Sequence, residues 1–156
     1  MSESYKNYVG GEWVTTDVGE TFEVIDPAQS DEVVGTYQES SEADAVAAIE
    51  VADDAQDTWA SIPGPERGTV LKETGELLAD RKDEAIETLV REEGKAWSEA
   101  AGEVQRAIDI FAYFGQKALD LGGTYKASSS QDTELYTKVE PLGTVALITP
   151  WNYPIA

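Results

Sequence analysis

Apolar residues follow two different periods along this chain. In the first 40 residues they alternate with a period of two, which predicts short strands over residues 8–14, 21–25 and 32–37. Gly10 and Gly11 lie in the middle of the first stretch, and paired glycines permit the positive φ values of a tight hairpin. The amino-terminal part is therefore predicted to be a small β layer.

Helical spacing begins after Ser41, a residue type that caps helix N-termini. Asp44 stands three positions later and can complete a reciprocal capping interaction. The predicted helix has an inner stripe of apolar residues at spacings of three and four, namely Ala45, Ala48, Ile49, Ala52, Ala55 and Trp59.

Three more helices are predicted from the residues that start and stop them. Pro65 suits a first helical position and begins the second helix. The third is shorter and stops near Gly94, since glycine favours helix ends. It places Ile86, Leu89 and Val90 on one face. The fourth covers about residues 97–121, with a stripe of Val104, Ala107, Ile108, Phe111, Phe114 and Ala118. Together these segments predict an amphipathic helical layer.

The last third of the chain predicts strands again. Residues 124–126 and 135–140 alternate as two exposed strands around a flexible loop, and exposed strand edges are usually covered, here by a candidate partner subunit. Residues 142–148 form a short apolar run before Pro150, which is typical of a fully buried strand. Ligands of open α/β sheets bind in the loops after such strands, so residues 149–156 are the predicted functional loop.

The composition removes many kinds of chemistry from these 156 residues. The chain has no cysteine and no histidine, so it contains no Ser-His-Asp triad, Cys-His pair, thiolate or imidazole metal site, or disulfide. Its length and 41% hydrophobic residues suit one domain with a core. No apolar run is long enough to span a bilayer, and residues 1–6 lack a secretory pattern. A cytoplasmic protein is expected.

The charge balance is strongly acidic, with 11 Lys and Arg against 31 Asp and Glu and a net charge of −20. Such a field repels nucleic acids and anionic membranes, so neither is an expected partner. Four Trp and seven Tyr argue against a disordered chain. The dispersed carboxylates are interpreted as the hydrated surface of a folded protein adapted to high ionic strength, where screening weakens self-repulsion.

Several motifs occur in an order that resembles the NAD(P)-dependent aldehyde dehydrogenase superfamily over essentially the whole chain. The most specific are Glu-Pro-Leu-Gly at residues 140–143 and Ile-Thr-Pro-Trp-Asn-Tyr-Pro at residues 148–154. Others are Trp59 ahead of Arg67, Glu-Glu-Gly-Lys at 92–95 and Glu-Val at 103–104. Ala96 departs from the family, which often has proline there. The sequence from residue 134 onward is similar to the branch of the family that oxidises 2-oxoglutarate semialdehyde, and it also resembles the succinate semialdehyde enzymes.

The resemblance implies an α/β fold, comprising the amino-terminal part of a Rossmann-like coenzyme-binding domain and part of a β oligomerisation arm. Residues 1–121 then flank the coenzyme domain, residues 122–141 begin the bridging arm, and residues 142–156 supply the first central strand and the cofactor loop. NAD or NADP, a small-molecule aldehyde and a homo-oligomer, dimeric or tetrameric, are implied for the complete enzyme. The family's reactive cysteine and general-base glutamate lie further along than residue 156, so the chain is expected to be an amino-terminal portion.

Asn152 matches the family position whose amide donates to the oxyanion formed when a cysteine attacks the aldehyde. The alternative is an asparagine that merely caps a turn. Ile148, Thr149, Pro150 and Trp151 match the segment that lies along the dinucleotide, largely through backbone atoms. The alternative for these four is core and turn packing.

Two further positions have weaker parallels. Glu92 and the carbonyl of Ile25 match a monovalent-cation site of some relatives, and oxygen ligands suit such ions. A solvated carboxylate at a helix end is the alternative for Glu92. Lys95 follows Gly94 in a charged connection with no apolar pocket evident, so it is predicted to be a surface lysine.

Two functions therefore remain open. The first is a part of an aldehyde-oxidising dehydrogenase that acts through a cysteine thiohemiacetal. The second is a catalytically inert truncated product that acts only in assembly through its bridging arm. Because the 156 residues contain no cysteine, they are expected to show no dehydrogenase turnover on their own.

Overall fold

The computed structural model describes residues 4–156, and over this range the element order agrees with the sequence patterns. The strands are β1 Asn7–Val9, β2 Glu12–Val14, β3 Thr21–Ile25, β4 Val33–Gln38, β5 Tyr125–Lys126 and β6 Leu135–Tyr136. The helices are α1 Glu42–Ser61, α2 Gly64–Asp80, α3 Lys82–Glu93 and α4 Trp97–Lys117, and a 3-10 turn follows at Ala118–Asp120. The prediction that residues 1–6 lack a secretory pattern falls partly on residues 1–3, which lie outside the described residues.

The amino-terminal β layer consists of two antiparallel hairpins. Strands β1 and β2 pair across Gly10 and Gly11, whose φ angles of 61° and 86° lie in the region that glycine tolerates best. The predicted Gly-Gly hairpin is thus confirmed. Strands β3 and β4 pair with Thr21 opposite Gln38, one residue beyond the predicted end of the second strand.

Helix α1 begins with the predicted capping box. The Ser41 hydroxyl accepts from the Asp44 backbone N–H, and the Asp44 carboxylate accepts from the Ser41 N–H at 2.8 Å. The predicted burial of its stripe from Ala45 to Trp59 is wrong, because none of the helix's residues is buried. An apolar helix face is buried only where another layer covers it, and here the β1–β2 turn lies beside only part of the stripe, near Ala48, Ala52 and Ala55.

The core lies among α2, α3 and α4. Ile86 and Leu89 of α3 pack with Ala100 and Val104 of α4, and Val90 packs against this cluster, as the spacing predicts. Helix α2 begins at Gly64, one residue before Pro65.

Two glycines set the shape of this helical layer. Helices α2 and α4 approach so closely at Gly68 that a Cβ atom there would lie 2.5 Å from the Gly115 carbonyl oxygen. Helix α3 ends at Gly94 with a φ of 67°, which confirms the predicted stop. These positions bring the three helices into one layer, against which the functional loop lies.

The carboxyl-terminal part contains one of the two predicted features. Strands β5 and β6 form the expected exposed hairpin, although each has only two residues. The buried strand predicted over residues 142–148 is wrong here, since the segment forms no strand and Leu142 is 96% exposed. A strand needs neighbours for its hydrogen bonds, and the described residues offer none to this segment. Within residues 4–156, none of the helices is both long and apolar enough to cross a bilayer.

Candidate functional site

The predicted functional loop is a turn held against the helical layer. Residues 149–156 follow the extended segment, and the Tyr153 N–H donates to the Pro150 carbonyl at 3.4 Å. Trp151 and Asn152 at the tip of this turn are exposed, whereas Pro154 is partly buried. The tip therefore faces outward and the following residues reach the helices.

Lys95 anchors the first half of this loop. Its ammonium group donates to the Asn152 carbonyl at 2.9 Å and lies 4.7 Å from the centre of the Tyr153 ring. It also pairs with the Glu93 carboxylate at 2.9 Å and with Glu103. The prediction of a surface lysine is wrong, because only 11% of the side chain is exposed.

The environment of Lys95 keeps it charged. Burial by itself would lower the pKa of this amine, but its hydrogen bonds to Glu103 and Glu93 outweigh that effect and raise the pKa above its ordinary value. Lys95 is therefore a permanent cation at neutral pH. It is suited to hold oxygen atoms in place and unsuited to act as a neutral amine nucleophile.

Glu103 anchors the second half of the loop, a role that was not predicted from the sequence. The residue is fully buried on α4, where one carboxylate oxygen binds Lys95 and the other accepts from the Ile155 N–H at 3.1 Å. A signal was present, because Glu103 occupies a stripe position between Ala100 and Ala107. A carboxylate on a buried helix face needs a charged partner, and that requirement points to a nearby lysine or arginine.

The Asn152 side chain is free to donate. Among the residues that the structure describes, its carboxamide makes no hydrogen bond, and only its backbone carbonyl is engaged. A turn-capping asparagine would accept a backbone N–H near its own position, and this one does not. The structure therefore shows an exposed amide donor on a fixed backbone.

The segment before Asn152 has exposed apolar side chains. Ile148 is 93% exposed and Trp151 is 86% exposed, and Thr149 and Pro150 are exposed as well. Their exposure contradicts the core part of the alternative interpretation, whereas the turn part agrees with the hydrogen bond that joins Pro150 to Tyr153. The four residues present an apolar strip that is suited to contact with another part of the protein or with a ligand.

An apolar groove of about 580 Å³ lies beside the anchored loop. Residues of α2 and α3, Phe111, and the loop residues Pro154 and Ile155 line it. Glu92 lies at its edge, where partial burial raises the pKa of the carboxyl and the adjacent Glu93 adds to the effect.

Glu92 and Ile25 occupy neighbouring parts of the fold. Asp26, which follows Ile25, accepts the Ala28 N–H at 2.8 Å and forms a turn. Pro27 in that turn packs against Gly94 at the end of α3. Arg91 pairs with Glu32 at 2.6 Å and ties the same two regions together. Within the described part of the chain no group of three acidic side chains is arranged to hold a metal, so a cation here would depend on carbonyl oxygens.

The comparison with protein families gives a match over nearly the whole chain. Residues 13–156 match the aldehyde dehydrogenase family model. The sequence is 62% identical to alpha-ketoglutarate semialdehyde dehydrogenase of Haloferax volcanii over 156 residues, which is all of this chain and 32% of that enzyme. It is 35% identical to alpha-ketoglutaric semialdehyde dehydrogenase of Bacillus subtilis, covering 98% of this chain and 31% of that one.

The structural comparison agrees with the sequence comparison. The crystal structure of an NAD-dependent aldehyde dehydrogenase from Sinorhizobium meliloti matches with a TM-score of 0.95 at 31% identity, covering 99% of this chain and 31% of that chain. This match confirms the α/β fold expected from the sequence, and the match covers the amino-terminal part of the longer chain. The chain thus spans about a third of the length of these relatives.

Proposed function

Since the chain belongs to the aldehyde dehydrogenase family, we propose that it forms the amino-terminal part of an NAD(P)-dependent enzyme that oxidises an aldehyde to a carboxylate. A semialdehyde such as 2-oxoglutarate semialdehyde is the proposed substrate. The 62% identity to the Haloferax volcanii enzyme, over all 156 residues, supports this choice. A cytoplasmic location is part of the same proposal.

The observation that carries the mechanism is the free carboxamide of Asn152 on an anchored loop. When a cysteine thiolate adds to the aldehyde carbon, the carbonyl oxygen becomes an anion, and a fixed amide N–H lowers the energy of that charge. Asn152 is the proposed donor. Its carboxamide has no partner among the described residues, so donation to a substrate oxygen breaks no existing bond.

Residues 148–151 are proposed to form part of the cofactor wall. NAD or NADP, when bound, accepts the two electrons and the hydrogen that leave the aldehyde carbon. Ile148 and Trp151 expose apolar surface that suits the face of a planar ring. The Thr149 backbone between them makes no hydrogen bond among the described residues, so its N–H and carbonyl are open to the hydroxyl groups of a ligand. The residues present therefore fit a dinucleotide.

The division of the chain and the second site are proposals as well. The helical layer ends with the 3-10 turn at Ala118–Asp120, which supports a coenzyme-domain flank over residues 1–121. The exposed β5–β6 hairpin within residues 122–141 supports a bridging arm in a dimer or tetramer, and residues 142–156 then form the cofactor and oxyanion segment. A monovalent cation between the Ile25 carbonyl and Glu92 is supported by the contact of Pro27 with Gly94.

The test uses a hybrid enzyme in which residues 1–156 of this chain are joined to the part of the Haloferax volcanii enzyme that the match leaves uncovered. We expect the hybrid to reduce NAD or NADP in the presence of 2-oxoglutarate semialdehyde. Asn152→Ala should lower kcat on the order of 10²- to 10³-fold, because one oxyanion donor is lost. Asn7→Ala is the matched control, since Asn7 lies in β1 and donates to Ser40 at a distance from the loop.

Two outcomes contradict the proposal. An unchanged kcat in Asn152→Ala excludes the oxyanion role, and a hybrid that reduces neither cofactor with any semialdehyde excludes the assigned reaction. The 156 residues without the remainder are proposed to be inert, because no thiohemiacetal forms without cysteine. Aldehyde-dependent NADH formation by this chain alone would show that statement to be wrong.

A further inference from the structure

Two buried charged groups hold the main chain on both sides of Tyr153. Lys95 donates to the Asn152 carbonyl at 2.9 Å, and Glu103 accepts the Ile155 N–H at 3.1 Å. Lys95 and Glu103 are also bound to each other. The loop is therefore clamped by one ion pair and not by two independent contacts.

The ion pair is suited to this task because it is almost completely removed from water. Glu103 has no exposed surface and Lys95 is 11% exposed. A buried carboxylate is tolerated only when its oxygens are paired, and here Lys95 and the Ile155 N–H supply the partners. The positions of both side chains are set by this requirement, so the loop attached to them is set as well.

The rest of the segment has no comparable attachment. Among the described residues, the segment after residue 141 has one other hydrogen bond to a helix, from the Thr144 hydroxyl to Asp53 of α1 at 3.3 Å, and this bond lies well before the loop. Ile148 and Trp151 are almost fully exposed. The hydrogen bonds that hold the Asn152 loop on the helical layer therefore all come from this ion pair, and Pro154 and Ile155 add apolar contact in the groove.

We propose that Lys95 and Glu103 are positioning residues for Asn152: the ion pair fixes the backbone of residues 152–155 so that the Asn152 carboxamide is held ready to donate. This inference rests on the proposed oxyanion role of Asn152. The pair does not touch the substrate, and its contribution passes through the loop. Mispositioning a donor by about 1 Å can cost on the order of a hundredfold in rate.

The kinetic test is a double-mutant cycle in the hybrid enzyme. Lys95→Met should lower kcat on the order of tenfold to a hundredfold with little change in the KM for the aldehyde. The double variant Lys95→Met, Asn152→Ala should be no slower than Asn152→Ala, because Lys95 acts only through that donor. Lys95→Arg, which keeps the charge and the donors, should recover much of the rate.

Controls separate positioning from simple loss of stability. Lys72→Met removes an exposed lysine of α2 and should leave kcat unchanged. Should Lys95→Met fold poorly, the variant Lys95→Met, Glu93→Gln, Glu103→Gln removes the lysine together with both of its carboxylate partners and keeps an acceptor for Ile155. That variant should still show the lower kcat.

A measurement on the 156-residue chain tests the clamp without catalysis. Amide hydrogen exchange at Ile155, followed by NMR, should be slow in the wild-type chain and faster in Lys95→Met, with Lys95→Arg close to wild type. Equal exchange in all three overturns the clamp.

The kinetic outcomes distinguish the two proposals. A normal kcat in Lys95→Met, or a double variant in which the two losses multiply, overturns the positioning role while Asn152→Ala still reports on the oxyanion donor. If Asn152→Ala itself has normal kcat, the proposed function of Asn152 fails and the positioning role fails with it.

Discussion

Glu92 shows how a single side chain connects the groove to stability. Partial burial and the neighbouring Glu93 raise the pKa of its carboxyl above the ordinary 4.5, so the folded protein binds a proton at this site more readily than the unfolded chain. The ionised form is the one that folding disfavours. Its cost is absent below the ordinary carboxyl pKa and is fully present once the pH exceeds the raised value.

We expect Glu92→Gln to raise the Tm at neutral pH, because the amide has the shape of the carboxyl without its charge. The gain should shrink as the pH falls and should vanish below about pH 4.5. Thermal unfolding followed by circular dichroism at several pH values measures this difference. Glu73→Gln, at an exposed position of α2, controls for the loss of one negative charge. A gain that is the same at every pH would contradict the explanation.

The Asn152 loop combines a local sequence motif with contacts to residues far away in the sequence. The motif pointed to Asn152 as the proposed donor, because the resemblance rests on residues at a fixed local spacing. The roles of Lys95 and Glu103 depend on contacts across 57 and 52 positions of the chain, to Asn152 and Ile155 respectively. No local pattern predicts which distant backbone group a buried charge will bind.

At the scale of elements, the close crossing of α2 and α4 is set by glycine. A Cβ at Gly68 would lie 2.5 Å from the Gly115 carbonyl oxygen and 2.8 Å from the Ala118 Cβ, so the helices would have to separate. Gly102 lies in the same layer on α4 and has open space around its Cβ position.

We predict opposite effects for alanine at these two glycines. Gly68→Ala should destabilise the chain by about 1–3 kcal/mol through overpacking. Gly102→Ala should stabilise it by up to about 1 kcal/mol, because alanine is the better helix former and nothing obstructs its methyl group. Urea denaturation monitored by far-UV circular dichroism measures both. Equal stability of Gly68→Ala and wild type would show that the helices can adjust at no cost.

Helix α1 and residues 142–148 share one property as elements. Both have the hydrophobic pattern of a buried element, and neither has a buried residue within the described part of the chain. The helix nevertheless forms, because its hydrogen bonds are internal and its capping box is local. The strand does not form, because a strand's hydrogen bonds must come from other segments.

At the scale of the whole molecule, charge is the dominant property. The net charge of −20 is spread over the surface, and ion pairs such as Lys72–Glu76 and Lys117–Asp120 are mostly exposed and contribute little each. Self-repulsion among carboxylates therefore opposes the compact state at low ionic strength.

We expect the Tm to rise as potassium chloride is added from dilute buffer to molar concentrations. At molar salt the screening length is only about 3 Å, so repulsion between carboxylates further apart than this is weakened. Differential scanning calorimetry across the salt series is the measurement. A variant with Glu50→Lys and Asp57→Lys on exposed positions of α1 has less repulsion and should show a smaller rise. A Tm that is highest in dilute buffer and falls steadily with salt would refute the halophilic interpretation.

The features that are local in origin could be predicted from consecutive residues. The Gly10–Gly11 hairpin, the Ser41 capping box, the stop of α3 at Gly94 and the motif around Asn152 all depend on residues within a few positions of one another. Short-range sterics and hydrogen bonding depend on consecutive residues, so turns, caps and helix ends can be predicted from local sequence.

Which apolar faces are buried, and which loop residues are fixed by charged partners, depends on long-range contacts and was not fully predicted. The stripe of α1 and the apolar run at residues 142–148 are exposed in the structure. Lys95, which was expected at the surface, pairs with the buried Glu103 carboxylate. Burial and charge pairing depend on segments that are far apart in sequence and meet only on folding. For this reason the sequence motif pointed to Asn152, whereas the Lys95–Glu103 ion pair beside it could not be predicted.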